Sequence, residues 1–78
     1  MTKARVIACK EAGIRRNPAA SSYAEDLIGT VPVGEVIQVD ATKRVYSWDD
    51  KEFYPCSTSA GDGYILTNLV RLMKGGKT

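Results

Sequence analysis

Three acidic residues lie close together in the second half of the chain, and paired carboxylates can act as an acid and a base. They are Asp49, Asp50 and Glu52. The surrounding segment, Thr42–Lys51, is predicted to form a long strand end with a hairpin tip at Asp49–Asp50. A hairpin tip is solvated, and neither a pocket nor a raised pKa follows from three neighbouring acids. We therefore expect a solvated turn without a catalytic function.

The two cysteines, Cys9 and Cys56, lack the partners that nucleophilic or metal chemistry needs. The chain contains no histidine, which is the usual base for a thiol nucleophile and a common metal ligand. A structural zinc site needs about four ligands of this kind. The wide spacing of the cysteines and the lack of a recognisable export signal favour two reduced thiols over a disulfide. We expect no enzyme activity, metal or cofactor, and we predict that Cys56 is a small buried residue.

The last residues, Gly76-Lys77-Thr78, match only the end of a phosphate-binding loop. That motif needs a glycine five residues before Gly76, where this chain has Arg71, and a helix after it. We interpret residues 74–78 as a flexible tail that follows a single domain over residues 1–73.

Adjacent arginines, Arg15 and Arg16, precede a loop that starts at Asn17. A guanidinium group can pair with a carboxylate or a phosphate through two hydrogen bonds. Neighbouring residues of an extended chain point to opposite sides, so one arginine faces solvent. We favour a structural role for Arg15 and ligand contact for Arg16 and Asn17.

Aromatic residues are the main candidates for binding. Tyr46 and Trp48 share one face of the predicted hairpin, and an exposed pair of this kind is a common interface anchor. Trp48 suits a binding role and a role in covering the open end of a barrel equally well. Tyr23 and Tyr64 are predicted to form the rims of the same groove. The full set of candidate ligand-binding residues is Arg16, Asn17, Tyr23, Tyr46, Trp48, Tyr54 and Tyr64.

The composition limits the classes of function. Seventy-eight residues form one small domain, and the net charge of +2 is well below that of a typical nucleic-acid binder. There is no long apolar run that would span a membrane and no recognisable signal peptide. We expect a cytoplasmic protein, or one located in a virion or cell wall if a phage or a larger exported protein carries it.

Short alternating segments with turn residues between them predict an all-β fold. In the first strand Ala4, Val6 and Ala8 should share one face, and in a later strand Ile37 and Val39 should share one face. The predicted strands are Lys3–Cys9, Ile14–Arg16, Asp26–Val31, Glu35–Ala41, a strand within Thr42–Lys51, Glu52–Ser57, Gly63–Leu66 and Val70–Met73.

The connections between these strands are predicted from glycine, proline and polar residues. Lys10–Gly13 is predicted as a turn in which Gly13 has a positive φ, and Pro32 with Gly34 as a tight turn. Thr58–Asp62 is predicted as a polar loop and Thr67–Leu69 as a single helical turn. Pro55 should restrict its strand to a sheet edge or a bulge, and an open edge there could support a homodimer.

The order of these segments resembles the bacterial SH3-like (SH3b) domain family. The motifs are Ile14-Arg15-Arg16-Asn17-Pro18, then Ile28-Gly29-Thr30-Val31-Pro32-Val33-Gly34, Ile37-Gln38-Val39, Phe53-Tyr54-Pro55-Cys56 and Gly63-Tyr64-Ile65 with Asn68-Leu69. The resemblance covers about Val6 to Leu72. It implies a small SH3-like barrel of five to six short antiparallel strands, with one single-turn helix near the C-terminus.

The resemblance also implies a non-catalytic binding module. Family members most often recognise cell-wall peptides, so a cell-wall peptide or a protein partner is expected here. An alternative is a small phage or mobile-element protein, either a virion component or an inhibitor of a host system. Nucleic-acid binding is a second, less favoured alternative, and we expect a monomer or a weak homodimer. Phe53 in place of the usual tryptophan, Pro55-Cys56 and a long hairpin depart from the family pattern, and the proline-peptide groove of eukaryotic relatives has no counterpart.

Overall fold

The structure is a computed structural model, and it describes residues 2–17, 27–47 and 50–73. These residues form eight antiparallel strands. The strands are β1 (Thr2–Val6), β2 (Glu11–Arg15), β3 (Leu27–Pro32), β4 (Val36–Val39), β5 (Val45–Tyr46), β6 (Glu52–Thr58), β7 (Gly61–Leu66) and β8 (Val70–Leu72). A single 3₁₀ turn, Thr67–Leu69, lies between β7 and β8. The predicted all-β antiparallel class with one helical turn near the C-terminus is confirmed, with eight strands instead of five or six.

The first four strands form one long hairpin with a bend in the middle. β1 pairs with β4, and β2 pairs with β3. At the bend, the Gly34 N–H donates to the Val6 carbonyl (2.7 Å) and the Val33 N–H donates to the Lys10 carbonyl (2.9 Å). Gly34 has a φ of 91°, which glycine adopts readily. The predicted tight turn at this position is confirmed.

The turn predicted at Lys10–Gly13 is wrong, because β2 already begins at Glu11. Ala12 and Ile14 are fully buried, so alternation of apolar residues continues through this segment. Gly13 lies between them and does not have a positive φ. A Cβ atom at Gly13 would lie 2.9 Å from the Leu27 Cδ1 atom, so glycine allows a close approach here and does not form a turn.

The β6–β7 hairpin joins the two halves of the bent hairpin. β6 pairs with β4 and β7 pairs with β2, which gives the strand order β3-β2-β7-β6-β4-β1-β8, with β5 also paired to β6. β1 continues through the bend into β2, so the sheet curls around a single core although its hydrogen-bonded order is an open path.

Pro55 lies in an interior strand, so the predicted edge or bulge at this residue is wrong. Its carbonyl accepts a hydrogen bond from the Asp40 N–H (2.9 Å) on the side of β6 that faces β4. An N–H at this position would face the same side, toward the Asp40 carbonyl, which instead accepts a hydrogen bond from the Lys43 N–H (3.2 Å). The missing donor at Pro55 therefore does not leave this carbonyl without a partner, and because β6 lies between two strands, the homodimer edge predicted at this point is wrong as well.

The fifth strand is much shorter than predicted. The strand predicted within Thr42–Lys51 covers only Val45–Tyr46, because the Asp40 carboxylate accepts hydrogen bonds from the Thr42 N–H (3.1 Å) and hydroxyl (2.6 Å) and forms a turn first. These bonds lower the pKa of Asp40.

The polar loop predicted over Thr58–Asp62 is also wrong, because a tight turn at Ser59 and Ala60 connects β6 to β7. The Thr58 hydroxyl donates to the Gly61 carbonyl (2.9 Å) and accepts from the Ala60 N–H (3.0 Å). Gly61 has a φ of 122°, which permits this geometry. One side chain and one glycine thus replace a longer loop.

The core consists mainly of small and branched side chains from one face of the curled sheet, together with one tyrosine. Its members are Ala4, Val6, Ala8, Ala12, Ile14, Val31, Ile37, Val39, Tyr54, Cys56, Ile65 and Val70. The alternation predicted for the first strand and for Ile37 and Val39 is confirmed, although β1 ends at Val6. Phe53 is buried too, and it follows the opposite face of β6 from Tyr54, so β6 is covered on both faces at this point.

The two cysteines differ in exposure, and neither forms a disulfide. Cys9 is exposed after the end of β1, and Cys56 is buried in β6 as predicted. Burial raises the pKa of the Cys56 thiol to about 11. This thiol is therefore protonated and unreactive at neutral pH.

Candidate functional site

The predicted binding residues occupy different environments. Arg16 and Asn17 are exposed directly after β2. Tyr46 on β5 is 56% exposed, Tyr54 on β6 is only 7% exposed, and Tyr64 on β7 is half-buried. The buried side chain of Tyr54 belongs to the core, so it offers a ligand little surface.

Two predicted binding residues, Tyr23 and Trp48, lie outside the described residues, as does most of the predicted loop from Asn17 to Glu25. The tail at residues 74–78 lies outside them as well.

Tyr46 is positioned by a short but regular pairing of β5 with β6. Val45 lies opposite Phe53, and Tyr46 lies opposite Glu52. The Tyr46 hydroxyl group is 3.4 Å from the Glu52 Oε2 atom and donates a hydrogen bond to it. The hydrogen bond therefore orients an exposed aromatic ring through its hydroxyl group. As a result, less side-chain conformational entropy is lost when a partner binds to the ring.

Glu52 connects three side chains from three segments. Its Oε2 atom lies 2.9 Å from the Arg44 Nε atom in an ion pair, and its Oε1 atom accepts a hydrogen bond from the Thr67 hydroxyl (3.4 Å). Thr67 begins the 3₁₀ turn, so the carboxylate links that turn to the β5–β6 hairpin. Glu52 begins β6, as predicted for the strand Glu52–Ser57, and its carboxylate is ion-paired, so the solvated turn predicted for the acidic cluster does not include this residue. Asp50 is exposed, with a φ of 67°.

Arg44 lies over the ring of Tyr54. The centre of its guanidinium group is 5.9 Å from the ring centroid, within the range of a cation–π contact. Hydrogen bonding to Tyr54, with a smaller effect of the Glu52 charge, raises the pKa of Arg44. Tyr54 thus contributes by holding Arg44 in place.

A shallow depression of about 270 Å³ lies beside this cluster. It is lined by Lys51, Glu52, Leu66, Thr67 and Asn68. Its volume is slightly below that of typical small-molecule pockets and suits one or two side chains of a peptide. We refer to the depression and the side chains that Glu52 holds beside it as the Glu52 site; it consists of Arg44, Tyr46, Lys51, Glu52, Leu66, Thr67 and Asn68.

Tyr64 does not share a groove with Tyr46. Tyr64 lies opposite Arg15 on one side and opposite Pro55 on the other. Tyr46 lies opposite Glu52, which is an odd number of residues from Pro55 along β6. Because side chains alternate along a strand, the two tyrosines project from opposite faces of the sheet. The predicted aromatic groove therefore does not form between them.

Arg44 and Thr67 were not among the predicted site residues, and the ion pair of Glu52 was not predicted. The sequence does contain a signal for the contact between Tyr46 and Glu52. A hairpin register that pairs the apolar residues Val45 and Phe53 also pairs Tyr46 with Glu52. Arg44 lies two residues before Tyr46 and therefore on the same face. Thr67 carries no comparable signal, since its approach to Glu52 depends on the long-range packing of the 3₁₀ turn.

The Glu52 carboxylate is paired with an arginine, and in the ranges 2–17, 27–47 and 50–73 no three cysteine, aspartate or glutamate residues lie close enough to hold a metal ion. No helix within these ranges is long and apolar enough to cross a bilayer.

Comparison with known proteins assigns no family. No protein-family model, no curated protein and no solved structure matches the chain.

Proposed function

We propose that this protein is a non-catalytic binding module that holds a peptide or a protein segment at the Glu52 site. The observation that carries this proposal is Tyr46, a tyrosine that is 56% exposed and oriented through its hydroxyl group. Exposed, oriented aromatic residues are frequent anchors of protein interfaces because they bury much apolar surface at little entropic cost.

The surroundings of Tyr46 favour a peptide over a small metabolite. The depression is open, with an apolar contribution from Leu66 and polar groups from Thr67 and Asn68. Arg44 and Lys51 give the site two positive charges against the single negative charge of Glu52. A peptide with one apolar side chain in the depression and a carboxylate near Arg44 would complement these groups.

Two classes of ligand follow from the resemblance to SH3b domains. One is a peptide of the bacterial cell wall, and the other is a protein partner, as for a phage or mobile-element protein that is part of a virion or inhibits a host system. We propose both as candidates, and the same mutation tests both.

The test compares Tyr46→Ala with the unmodified protein. Cosedimentation with purified cell walls probes the first ligand class, and peptides selected from a random display library on the immobilised protein probe the second. We expect Tyr46→Ala to weaken binding by about 30-fold, which corresponds to the ~2 kcal/mol of an interface hot spot. Tyr46→Phe should retain part of the affinity because the ring remains.

Val33→Ala is the matched control, because Val33 is also about half exposed (50%) but lies at the bend of the hairpin. Equal binding by Tyr46→Ala and Val33→Ala would contradict the proposal. Thermal melts of both variants should match that of the unmodified protein, and a strongly lowered melting temperature for Tyr46→Ala would show that Tyr46 supports the fold instead.

A further inference from the structure

The last strand, β8, pairs on one side only within the described residues. Its partner is β1, with Ala4 opposite Leu72, Arg5 opposite Arg71 and Val6 opposite Val70. The sheet also ends at β3. We consider the edge of β8 because its hydrogen bonds to β1 determine which of its backbone groups face outward.

The hydrogen bonds show which backbone groups of β8 face outward. The Met73 N–H donates to the Lys3 carbonyl (2.8 Å), and the Ile7 N–H donates to the Leu69 carbonyl (2.8 Å). In an antiparallel ladder hydrogen-bonded pairs alternate with non-bonded pairs, so Arg5 and Arg71 form the bonded pair between these two. The N–H and C=O groups of Val70 and Leu72 consequently point to the open edge.

Two arginines face each other at this edge. Arg5 and Arg71 are both exposed and directly opposite, and like charges in this position destabilise a sheet. Lys3 lies on the same face as Arg5. Neither an ion pair nor a side-chain hydrogen bond satisfies these three cations within the described ranges. A carboxylate placed next to Arg71 would offset this repulsion.

The charge and polarity of this edge indicate which kind of molecule could bind to it. A second copy that paired through the same strand in a two-fold arrangement centred on Arg71 would place Arg71 against Arg71, which adds repulsion. Among the described residues, β8 and the facing strand β1 offer a nucleic acid three cations and no aromatic residue for stacking, and the net charge of the chain is +2. Leu72 is 40% exposed at the edge and suits an apolar neighbour. An extended acidic and apolar segment of another protein fits best.

We propose that the edge of β8 accepts an extended segment of a partner protein in which an acidic residue lies between two apolar residues. The segment adds a strand to the sheet through the backbone groups of Val70 and Leu72. Its acidic residue lies opposite Arg71 in a non-bonded pair, where side chains are closest, and its apolar residues cover Leu72. This surface shares no residue with the Glu52 site, so the proposal does not depend on the proposed function.

The test uses a short fluorescent peptide with the central sequence Val-Glu-Val, flanked by threonine and serine. Two matched peptides carry lysine in place of glutamate, or methyl groups on the two valine nitrogens that would bond to β8. We expect the lysine peptide to bind about fivefold more weakly, since an opposed charge pair contributes up to ~1 kcal/mol. We expect N-methylation to weaken binding by about tenfold, because it removes backbone hydrogen bonds.

Two protein variants test the same contacts from the other side. Leu72→Pro removes an outward N–H and an exposed apolar side chain but no hydrogen bond to β1, so it should weaken binding without lowering the melting temperature appreciably. Arg71→Glu should reverse the preference and favour the lysine peptide. Tyr46→Ala should bind the glutamate peptide normally, which separates this surface from the Glu52 site.

Several results would overturn the proposal. Equal binding of the glutamate and lysine peptides would exclude the role of Arg71, and insensitivity to N-methylation would exclude strand addition. Dimerisation in analytical ultracentrifugation that Leu72→Pro abolishes would assign the edge to a second copy. Tighter binding of a DNA duplex, steeply weakened by salt and by Arg71→Glu, would assign the surface to nucleic acid.

Discussion

Replacing Gly63 by alanine should destabilise the protein severely. Gly63 lies in β7 on its core-facing side, opposite Cys56 of β6. A Cβ atom at this position would lie 2.5 Å from the Arg15 carbonyl oxygen, 2.8 Å from the Ile14 Cγ2 atom and 3.1 Å from the Ile28 Cδ1 atom. All three distances are shorter than ordinary van der Waals contacts.

The size of the effect follows from which of these neighbours can move. The Ile28 side chain can rotate, but the Arg15 carbonyl belongs to the backbone of β2, which pairs with β3 along its length. Relieving the contact between the added Cβ atom and this carbonyl oxygen therefore requires β7 to move away from β2. Overpacking of this kind costs about 1–3 kcal/mol, and the backbone contact places Gly63→Ala at the upper end, near ~3 kcal/mol. A domain of this size loses about 4–8 °C in melting temperature per kcal/mol, so we expect a decrease of about 12 °C or more.

Urea denaturation followed by circular dichroism measures the free energy of unfolding directly. Asp62→Ala is the matched control, because Asp62 is the preceding residue of β7 and is exposed. The control should change the free energy of unfolding by less than ~0.5 kcal/mol. If Gly63→Ala lowers the free energy of unfolding by less than ~1 kcal/mol, the reasoning is refuted, because β2 and β7 can then move apart at little energetic cost.

Two further changes test the interior and the β6–β7 turn. Because burial raises the pKa of Cys56 to about 11, from a usual value of 9.0, its thiol stabilises the fold fully below pH 9 and loses this contribution as the pH approaches 11. The free energy of unfolding should therefore fall more between pH 9 and 11 in the unmodified protein than in Cys56→Ala, and parallel curves would contradict this assignment. Thr58→Val removes the hydroxyl that bonds to Gly61 and Ala60 and should cost about 1 kcal/mol in urea denaturation, whereas Thr58→Ser should not; equal stability of the two variants would exclude the role of the hydroxyl.

The parts of the fold that local patterns determine were predictable from the sequence. Ala4, Val6 and Ala8 alternate with charged or exposed residues, and the same period of two identifies Ile37 and Val39. Such alternation reflects the burial of one face of a strand, which does not depend on the identity of the neighbouring strand.

Features that depend on distant contacts were predicted wrongly. Gly13 resembles a turn residue, but it lies in a strand that pairs with β3, where the lack of a side chain leaves room for Leu27. Pro55 resembles an edge residue, but it lies at the junction between two partners of β6 that are unknown until the sheet is assembled. The number and order of strands depend on the same long-range pairing.

The candidate site was predictable only in part. Tyr46 could be selected as an exposed aromatic residue of a hairpin, and the structure places it at the surface. The ion pair of Glu52 was not predicted because the role of this residue depends on the register of a two-residue strand. The separation of Tyr64 from Tyr46 depends on that register too, since a shift by one residue would exchange the faces.

The pairing of β1 with β8 has a consequence for how the chain folds as it is synthesised. Arg5 and Arg71 are neighbours in the sheet but lie at opposite ends of the sequence, so this contact has a very high sequence separation. Contacts of this kind slow folding because a long loop must close before they form. On the ribosome, β1 emerges before the other strands of this sheet, and its partner β8 emerges after them. Until then β1 lacks one neighbour, so the native sheet is completed only when the end of the domain has left the exit tunnel.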